Sequence, residues 1–407
     1  MSKYKDVLIY GFAIFSMFFG SGNLVFPLQI GQIAGYHWFA GFVGLFLTGI
    51  ILPFLGLFVI KLHKGDYNSF FGEAGPLAKF LLPLFTLSLL GSFGVVPRCI
   101  TVAHGGIEYI FPQVPLILFS LLFSVICFVF CLKDHLMITI LGKWMTPVLL
   151  ILLAVLILIG IGQNYPLDGT LVDGAMLIGS LSAASYGSTN VSSIGINMGS
   201  ALTEGFLRGY QTMDLFAAFF FSALIFNQIQ NKDENKKKDH KSIIRAALKP
   251  SLVGAILLAI VYLGFVFLGA KYRDIAIDTS PALILPKIAV HVMGKGAALT
   301  IGIIMIFSCL TTAIALNNIY ARYLCSLLKL SNKSFPSMLL ATTVVSYVIS
   351  LLDFRGIAAF LSPSLELSYP SIILLTIMSI FIKKNKELKM VVFYGALGLM
   401  LYSQLMS

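Results

Sequence analysis

The chain has 407 residues, of which 58% are hydrophobic and 11% are charged, and its formal net charge at pH 7 is +11. Soluble domains carry roughly 25% charged residues, and a soluble chain as apolar as this one would expose large hydrophobic patches and aggregate. The composition therefore excludes a soluble protein and predicts an all-α integral membrane protein.

Apolar stretches recur along the whole chain, and each is about 18–25 residues long, enough to cross a ~30 Å hydrocarbon core as a helix. They predict about eleven transmembrane helices. In chain order, the predicted spans are 7–30, 39–61, 80–103, 114–132, 145–162, 206–227, 250–270, 298–324, 336–352, 358–382 and 390–406.

The basic residues follow the same pattern of spans. With the N-terminus in the cytoplasm, most of the 28 lysines and arginines fall on the cytoplasmic side, as the positive-inside rule requires. This bias explains the net charge without nucleic acid as a partner. The sequence thus predicts a multi-pass protein whose surroundings are the lipid bilayer.

The first predicted helix contains the stretch "FFGSGNLVFP" at 18–27. Each interior glycine costs a helix roughly 1 kcal/mol relative to alanine, and Gly20, Ser21, Gly22 and Asn23 together favour local unwinding. Unwound backbone is tolerated at membrane depth only where it lines a cavity or is buried in protein. Its free carbonyls suit a cation or an ammonium group and its free N–H groups suit a carboxylate. Tight packing of the two glycines against another helix is the alternative.

The third predicted helix contains "GVVPRCITVAHGG", in which we expect Pro97 to bend the helix. Arg98 follows directly. It could neutralise an acid or anchor a carboxylate inside the bundle, or extend to the membrane surface. The sequence leaves both alternatives open.

A stretch rich in Ser, Gly and Asn divides the chain into two halves. The predicted units are 1–165 with helices 1–5, an outer connecting segment at 166–205, 206–382 with helices 6–10, and 383–407 with helix 11. The first helix of the second half carries "RGYQTMD" at Arg208–Asp214. Interrupted helices at corresponding positions of two halves indicate an inverted-repeat transporter with a site near the bilayer midplane.

Two acidic residues fall within predicted spans. An Asp at the centre of a membrane helix costs about 2.5–3.5 kcal/mol on insertion scales, so Asp214 should face the interior with a partner. That partner could be a bound cation, a substrate amine or Arg208. Glu366 lies between Pro363 and Pro370, which interrupt the helical pattern, and could carry a proton.

Helix 8 contains "FSCLTTAIAL", in which Ser308, Thr311 and Thr312 follow i, i+3, i+4 spacing and share one face. Their hydroxyls are hard oxygen donors that suit an alkali cation. Bonding to helix carbonyls is the alternative.

Signals for an enzyme are absent from the sequence. No GxxxxGK[ST] loop and no HExxH motif occurs, and the six histidines are scattered. We therefore expect neither direct use of ATP nor catalysis.

Four stretches, in the same order, resemble the branched-chain amino acid:cation symporters, the LIVCS family within the amino acid–polyamine–cation superfamily: "GFAIFSMFFGSGNLVFPLQIGQIAG", "PRCITV", "GFLRGYQTMDLFAAFFFSALIFN" and "FSCLTTAIAL". The resemblance implies uptake of leucine, isoleucine and valine with Na⁺, or with H⁺, across a bacterial inner membrane. It also implies a LeuT-like 5+5 inverted repeat with broken helices 1 and 6.

The resemblance assigns site residues by position in the matching motifs. The substrate would lie at Gly20, Ser21, Gly22 and Asn23 of helix 1 and at Gly209, Tyr210, Thr212 and Asp214 of helix 6. A sodium ion would lie among Ser16, Phe19, Ser308, Thr311 and Thr312, and a second cation near Asn23 and Asp214. Arg98 and Glu366 are the candidate proton or charge partners.

Two other functions are compatible with the same features. One is a proton-coupled or exchange-type amino acid permease of the same fold, which Glu366 favours. The other is a nutrient receptor that binds an amino acid without transporting it. The amino acid preferred, the coupling stoichiometry and the oligomeric state stay open at the level of sequence.

Overall fold

The computed structural model describes residues 2–132, 146–165, 197–222, 240–276, 279–294, 296–382 and 385–406, and every regular element within these ranges is helical. Most of the predicted connecting segment, 166–196, lies outside them. The α-helices in chain order are α1 (Ser2–Phe18), α2 (Ser21–Ala34), α3 (Trp38–Phe46), α4 (Leu52–Leu62), α5 (Tyr67–Phe71), α6 (Pro76–Leu90), α7 (Val95–Glu108), α8 (Leu116–Cys131), α9 (Thr146–Gly162), α10 (Met198–Gln211), α11 (214–222), α12 (His240–Lys271), α13 (Ile284–Met293), α14 (Ala297–Leu327), α15 (Phe335–Ser350), α16 (Asp353–Phe381) and α17 (Lys386–Met406).

Within the described ranges, six helical stretches are long and apolar enough to cross a membrane. They are Ser21–Leu62, Pro76–Glu108, Lys249–Lys271, Ala297–Leu327, Asp353–Phe381 and Lys386–Met406. Shorter apolar helices accompany them, among them α8, α9 and α15. The chain is therefore a multi-pass membrane protein, and the number of eleven spans stays a prediction.

The third predicted span is interrupted, which the sequence analysis did not foresee. α6 ends at Leu90 and α7 begins at Val95, with a turn through Gly91–Gly94 between them. Pro97 therefore lies in the first turn of α7, where the backbone N–H groups have no intrahelical acceptor, so its missing N–H costs nothing. The expected bend at Pro97 is wrong, because the glycines before it interrupt the helix instead.

Helix α10 begins earlier than the predicted boundary at 206. Asn197 caps it, since its side-chain oxygen accepts a hydrogen bond from the Ser200 backbone N–H at 2.8 Å. The Ser200 hydroxyl oxygen accepts one from the Asn197 N–H at 3.0 Å, which completes a capping box. The part of the predicted connecting segment from Met198 to 205 is therefore helical.

The expected interruption of helix 10 is also absent. α16 runs without a break from Asp353 to Phe381, although Pro363 and Pro370 lie within it. Each proline removes one backbone donor, and membrane helices tolerate this loss when neighbouring groups satisfy the freed carbonyls.

Helices α3 and α10 approach each other through glycines. A Cβ added to Gly205 would lie 2.0 Å from the Gly41 carbonyl oxygen, and one added to Gly44 would lie 2.1 Å from the Leu202 carbonyl oxygen. Small residues allow such backbone contact in membranes, where packing rather than hydrophobic exclusion joins helices. The Thr48 hydroxyl reinforces the contact by donating to the Phe206 carbonyl at 2.8 Å.

We expect Gly205→Ala to destabilise the protein by about 1–3 kcal/mol, because the new methyl group forces two backbones apart. The measurement is the apparent Tm of purified protein in detergent. Gly398→Ala is the matched control, since a Cβ there would meet no atom within 4 Å. Equal Tm values for the two variants would contradict the packing account.

Candidate functional site

The predicted interruption of the first helix is present. α1 ends at Phe18 and α2 begins at Ser21. The Gly20 N–H donates to the Phe18 carbonyl at 2.7 Å instead of continuing the helical ladder to Ser16. The Ser16 and Met17 carbonyls thereby lack donors from their own helix, and the N–H groups of the first turn of α2 have no acceptor within theirs.

Hydroxyl groups of α14 bind the freed carbonyls. Ser308 donates to the Phe19 carbonyl at 2.6 Å. Thr311 and Thr312 each donate to the Ser16 carbonyl at 3.3 Å. The structure thus brings together all five residues that the resemblance assigns to a sodium site. A cluster of hydroxyl and carbonyl oxygens is the donor set that hard cations prefer.

Gly20 is required for this approach of α14. A Cβ at Gly20 would lie 2.8 Å from Thr312 Oγ1 and 3.0 Å from its Cβ. Any side chain at Gly20 would therefore push Thr312 away from the carbonyls. The contact between α14 and the end of α1 therefore depends on the glycine.

The second interruption lies at Thr212 and Met213, between α10 and α11. Met213 has φ of +60°, in the left-handed region. This conformation costs a residue with a side chain roughly 1–2 kcal/mol, so the surrounding contacts must maintain it. One such contact is the Thr212 hydroxyl, which donates to the Gly209 carbonyl at 2.8 Å.

The interruption is shorter than predicted, because Gly209 and Tyr210 remain helical in α10. A Cβ at Gly209 would lie 1.8 Å from Thr48 Oγ1, so this glycine serves helix packing. Tyr210 stacks on Tyr369 with ring centroids 4.8 Å apart. Neither residue lines the cavity described below, and their assignment to the substrate site stays a prediction.

Asp214 is buried at the start of α11 and connects the two interruptions. Its Oδ2 accepts a hydrogen bond from Asn23 Nδ2 at 2.7 Å and one from the Tyr262 hydroxyl at 3.2 Å. Asn23 also donates to the Tyr262 hydroxyl, and its Oδ1 accepts from the Gly20 N–H at 3.4 Å. Helices α2, α11 and α12 therefore meet at one carboxylate, as expected for an intramembrane acid that faces the interior.

Arg208 is not the partner of this carboxylate. Its Nε lies 3.9 Å from Glu204 Oε2, and its Nη1 donates to Gln211 Oε1 at 3.3 Å. Both contacts lie on α10, so Arg208, one of the three alternatives considered as partner of Asp214, is not that partner.

Arg98 lies in the interior and not at the membrane surface, since only 1% of it is exposed. Its Nη1 donates to the Gln211 carbonyl at 2.9 Å, and its Nη2 lies 3.4 Å from Met213 Sδ. It therefore caps the last turn of α10, where a positive charge is favourable because the helix dipole is negative there. The guanidinium also lies 5.6 Å from the centre of the Phe26 ring.

We expect Arg98→Met to destabilise the protein by about 1–3 kcal/mol, because the buried Gln211 carbonyl loses its donor. The apparent Tm in detergent measures this. Arg355→Met, at an exposed position of α16, is the control. If Arg98→Met has the same apparent Tm as the parent protein, the capping role is refuted.

Glu366 does not join the site. It is partly exposed, accepts a hydrogen bond from Ser362 of its own helix at 3.3 Å, and does not line the cavity. The candidate role of Glu366 as a proton or charge partner stays a prediction.

A small cavity lies between the two interruptions. Polar backbone and side-chain groups form one side of the cavity, and apolar side chains form the other. The lining residues are Met17, Phe18, Gly20, Ser21, Gly22, Asn23, Leu90, Val95, Thr212, Met213, Asp214, Ala217, Thr312 and Leu316.

Two features of the site are not among those predicted from the sequence. Leu90 and Val95 flank the unforeseen turn between α6 and α7 and supply part of the apolar side. The stretch "GSFG" in that turn repeats the Gly-Ser-x pattern of the first helix and was a usable signal. Tyr262 had no such signal, because a tyrosine in an apolar stretch is usually a packing or interface residue.

Interrupted helices around a buried polar cavity, within a multi-pass bundle of apolar helices, are typical of membrane transport proteins. The family model described as branched-chain amino acid transport protein matches residues 3–407. The chain belongs to this family, which consists of transporters and not of enzymes.

Individual relatives agree with the family match. The branched-chain amino acid permease BraB of Bacillus subtilis is 26% identical over 405 residues, covering 98% of this chain and 85% of the relative. The branched-chain amino acid permease BrnQ of Corynebacterium glutamicum is 26% identical over 407 residues, covering 100% of this chain and 88% of the relative. A putative branched-chain amino acid carrier protein of Staphylococcus haemolyticus is 27% identical over 403 residues, covering 93% of this chain and 83% of the relative.

Proposed function

We propose that the chain imports leucine, isoleucine and valine across a bacterial cytoplasmic membrane by symport with Na⁺, through alternating access and with its N-terminus in the cytoplasm. The observation that carries the proposal is the meeting of two interrupted helices at a cavity with one polar and one apolar side. The family and its named permeases support the substrate class.

The cavity suits a zwitterion with an aliphatic side chain. The free N–H groups at the start of α2, at Ser21 and Gly22, would hold the substrate carboxylate. Asp214 would hold the ammonium group, because a buried carboxylate with only neutral hydrogen-bond donors has capacity for a positive charge. The apolar lining, with Leu90, Val95 and others, would accept the side chain.

The coupling Na⁺ would bind where α14 meets the end of α1. The carbonyls of Ser16 and Phe19 are already turned out of the helix. The hydroxyls of Ser308 and Thr312 would rotate so that their lone pairs face the ion, which a hydroxyl can do without moving its oxygen. A second cation would bind near Asn23 and Asp214.

The two interruptions also fit the proposed LeuT-like 5+5 repeat, because each occurs in the first helix of one half. In such folds the two repeats rock around a site near the midplane. A cation in contact with both α1 and α14 would favour one arrangement of these helices over the other, and this difference would couple ion binding to the conformational change.

The driving force is sufficient without ATP. One Na⁺ entering down ~100 mV supplies about 2.3 kcal/mol, and a tenfold gradient adds about 1.4 kcal/mol. At one Na⁺ per neutral amino acid, this free energy supports an accumulation of roughly 500-fold.

The test is uptake of radiolabelled leucine by liposomes that contain the purified protein, with an inward Na⁺ gradient. Choline replaces Na⁺ in one control, and a proton gradient without Na⁺ is imposed in another. Concentrative uptake that requires Na⁺ supports the proposal.

Other results would point to a different function. Uptake driven only by the proton gradient would favour a proton-coupled permease, for which Asp214 is the buried acid at the cavity. Leucine binding without flux would favour a nutrient receptor.

A further inference from the structure

Tyr262 is a buried residue of α12 that neither the sequence motifs nor the proposed mechanism uses. It lies near the middle of the apolar stretch Lys249–Lys271 and is 0% exposed. Its hydroxyl donates to Asp214 Oδ2 at 3.2 Å and accepts a hydrogen bond from Asn23 Nδ2. Asn23 and Asp214 lie just after the first and the second interruption.

We propose that Tyr262 is a positioning residue that latches the two helix interruptions together and orients Asp214 for the ligand. The inference deepens the proposed function and rests on it for the identity of the ligand. The latch itself follows from the contacts alone.

The contacts form a closed triangle. Asn23 donates to Asp214 and to Tyr262, and Tyr262 donates to Asp214. A helix of the first half of the chain, α2, is therefore joined to two helices of the second half, α11 and α12, through three polar groups in an apolar interior. Breaking the triangle would leave buried donors or acceptors unpaired, so α2 and α11 are held in one relative position while it is intact.

The triangle also determines which oxygen of the Asp214 carboxylate accepts the hydrogen bonds. Asn23 and Tyr262 both bind Oδ2, and neither binds Oδ1. Asp214 lines the cavity. The Tyr262 hydroxyl thereby holds Oδ2 and leaves Oδ1 of Asp214 for the ligand. Oδ1 would then meet the positively charged group of the ligand.

Tyr262→Phe tests the hydroxyl and keeps the ring, so packing is preserved. Tyr272→Phe is the matched control. Tyr272 is also 0% exposed, and its hydroxyl donates to the Gly160 carbonyl at 2.8 Å, away from the cavity. In liposomes, Tyr262→Phe should raise the KM for leucine about tenfold with a maximal rate within about twofold of the parent, since a hydrogen bond to a charged group is lost. Tyr272→Phe should leave the KM unchanged.

A second measurement tests the latch without transport. Ala217→Cys places a thiol on the cavity wall in α11, and a small water-soluble methanethiosulfonate labels it, with the parent protein as the blank because its five native cysteines are free and buried. Adding Tyr262→Phe should raise the labelling rate at least about fivefold, and adding Tyr272→Phe should not. Asn23→Ala combined with Tyr262→Phe should label no faster than Asn23→Ala alone, because Asn23→Ala already removes both bonds that join the triangle to α2.

The two measurements separate failure of the inference from failure of the proposed function. If labelling rises but the parent protein transports no branched-chain amino acid, the latch is supported and the proposed function is wrong. If labelling is unchanged by Tyr262→Phe, or equally changed by Tyr272→Phe, the latch is refuted. An unchanged KM in a transporting protein refutes the orienting role.

Discussion

Asp214→Asn should reduce Na⁺-driven leucine uptake at least about a hundredfold. The carboxylate is buried and is the acidic group that lines the cavity, and asparagine keeps its shape while removing its charge. Removing one partner of a buried charge pair costs about 3–5 kcal/mol, which corresponds to more than a hundredfold in affinity. The initial rate of uptake and the equilibrium binding of leucine, at equal amounts of reconstituted protein, measure the effect.

Glu366→Gln is the matched control for this experiment. It also neutralises an acid within an apolar span, but Glu366 is partly exposed and lies outside the cavity. We expect uptake within about twofold of the parent, because the position makes one hydrogen bond to its own helix. If Glu366→Gln abolishes uptake while Asp214→Asn does not, the assignment of the site is wrong.

Thr312→Ala should raise the Na⁺ concentration for half-maximal uptake at least about tenfold. The hydroxyl contacts the Ser16 carbonyl and, at 3.4 Å, the Met17 carbonyl, and alanine removes one proposed ligand of the ion. Loss of one hydrogen bond to a charged partner is worth about 1.5–3 kcal/mol, which is tenfold or more. The measurement is leucine uptake as a function of external Na⁺, with choline keeping the ionic strength constant.

Thr376→Ala is the control for Thr312→Ala. Thr376 is also buried, and its hydroxyl donates to the Ile372 carbonyl of its own helix at 2.8 Å. It should leave the Na⁺ dependence unchanged. A Thr312→Ala variant with the parent's Na⁺ dependence would refute a cation site between α1 and α14, whatever its effect on the maximal rate.

The sequence identified the features of the site that arise from local chemistry. Gly20 and the residues after it interrupt the first helix because glycine and asparagine weaken a helix wherever they occur. Ser308, Thr311 and Thr312 share a face because of helical spacing, and that face does meet the interruption.

Features that depend on tertiary contacts could not be predicted in the same way. Gly209 was expected at the second interruption but packs against Thr48, a residue that only the folded chain brings near. The Tyr262 hydroxyl contacts Asn23 across 239 residues of sequence, and no periodicity reports such a contact. Pro363 and Pro370 were expected to interrupt their helix and do not. The cost of a proline in a helix depends on whether its surroundings satisfy the carbonyl that lost its donor.

The glycine contact between α3 and α10 has a consequence for the biogenesis of the protein. Thr48 and Phe206, which bond across this contact, are 158 residues apart, and they belong to opposite halves of the predicted repeat. During synthesis, the glycine surface of α3 therefore has no α10 to pack against until the ribosome has delivered all of the chain between them. A chain released before α10 would therefore keep this glycine surface without its partner helix.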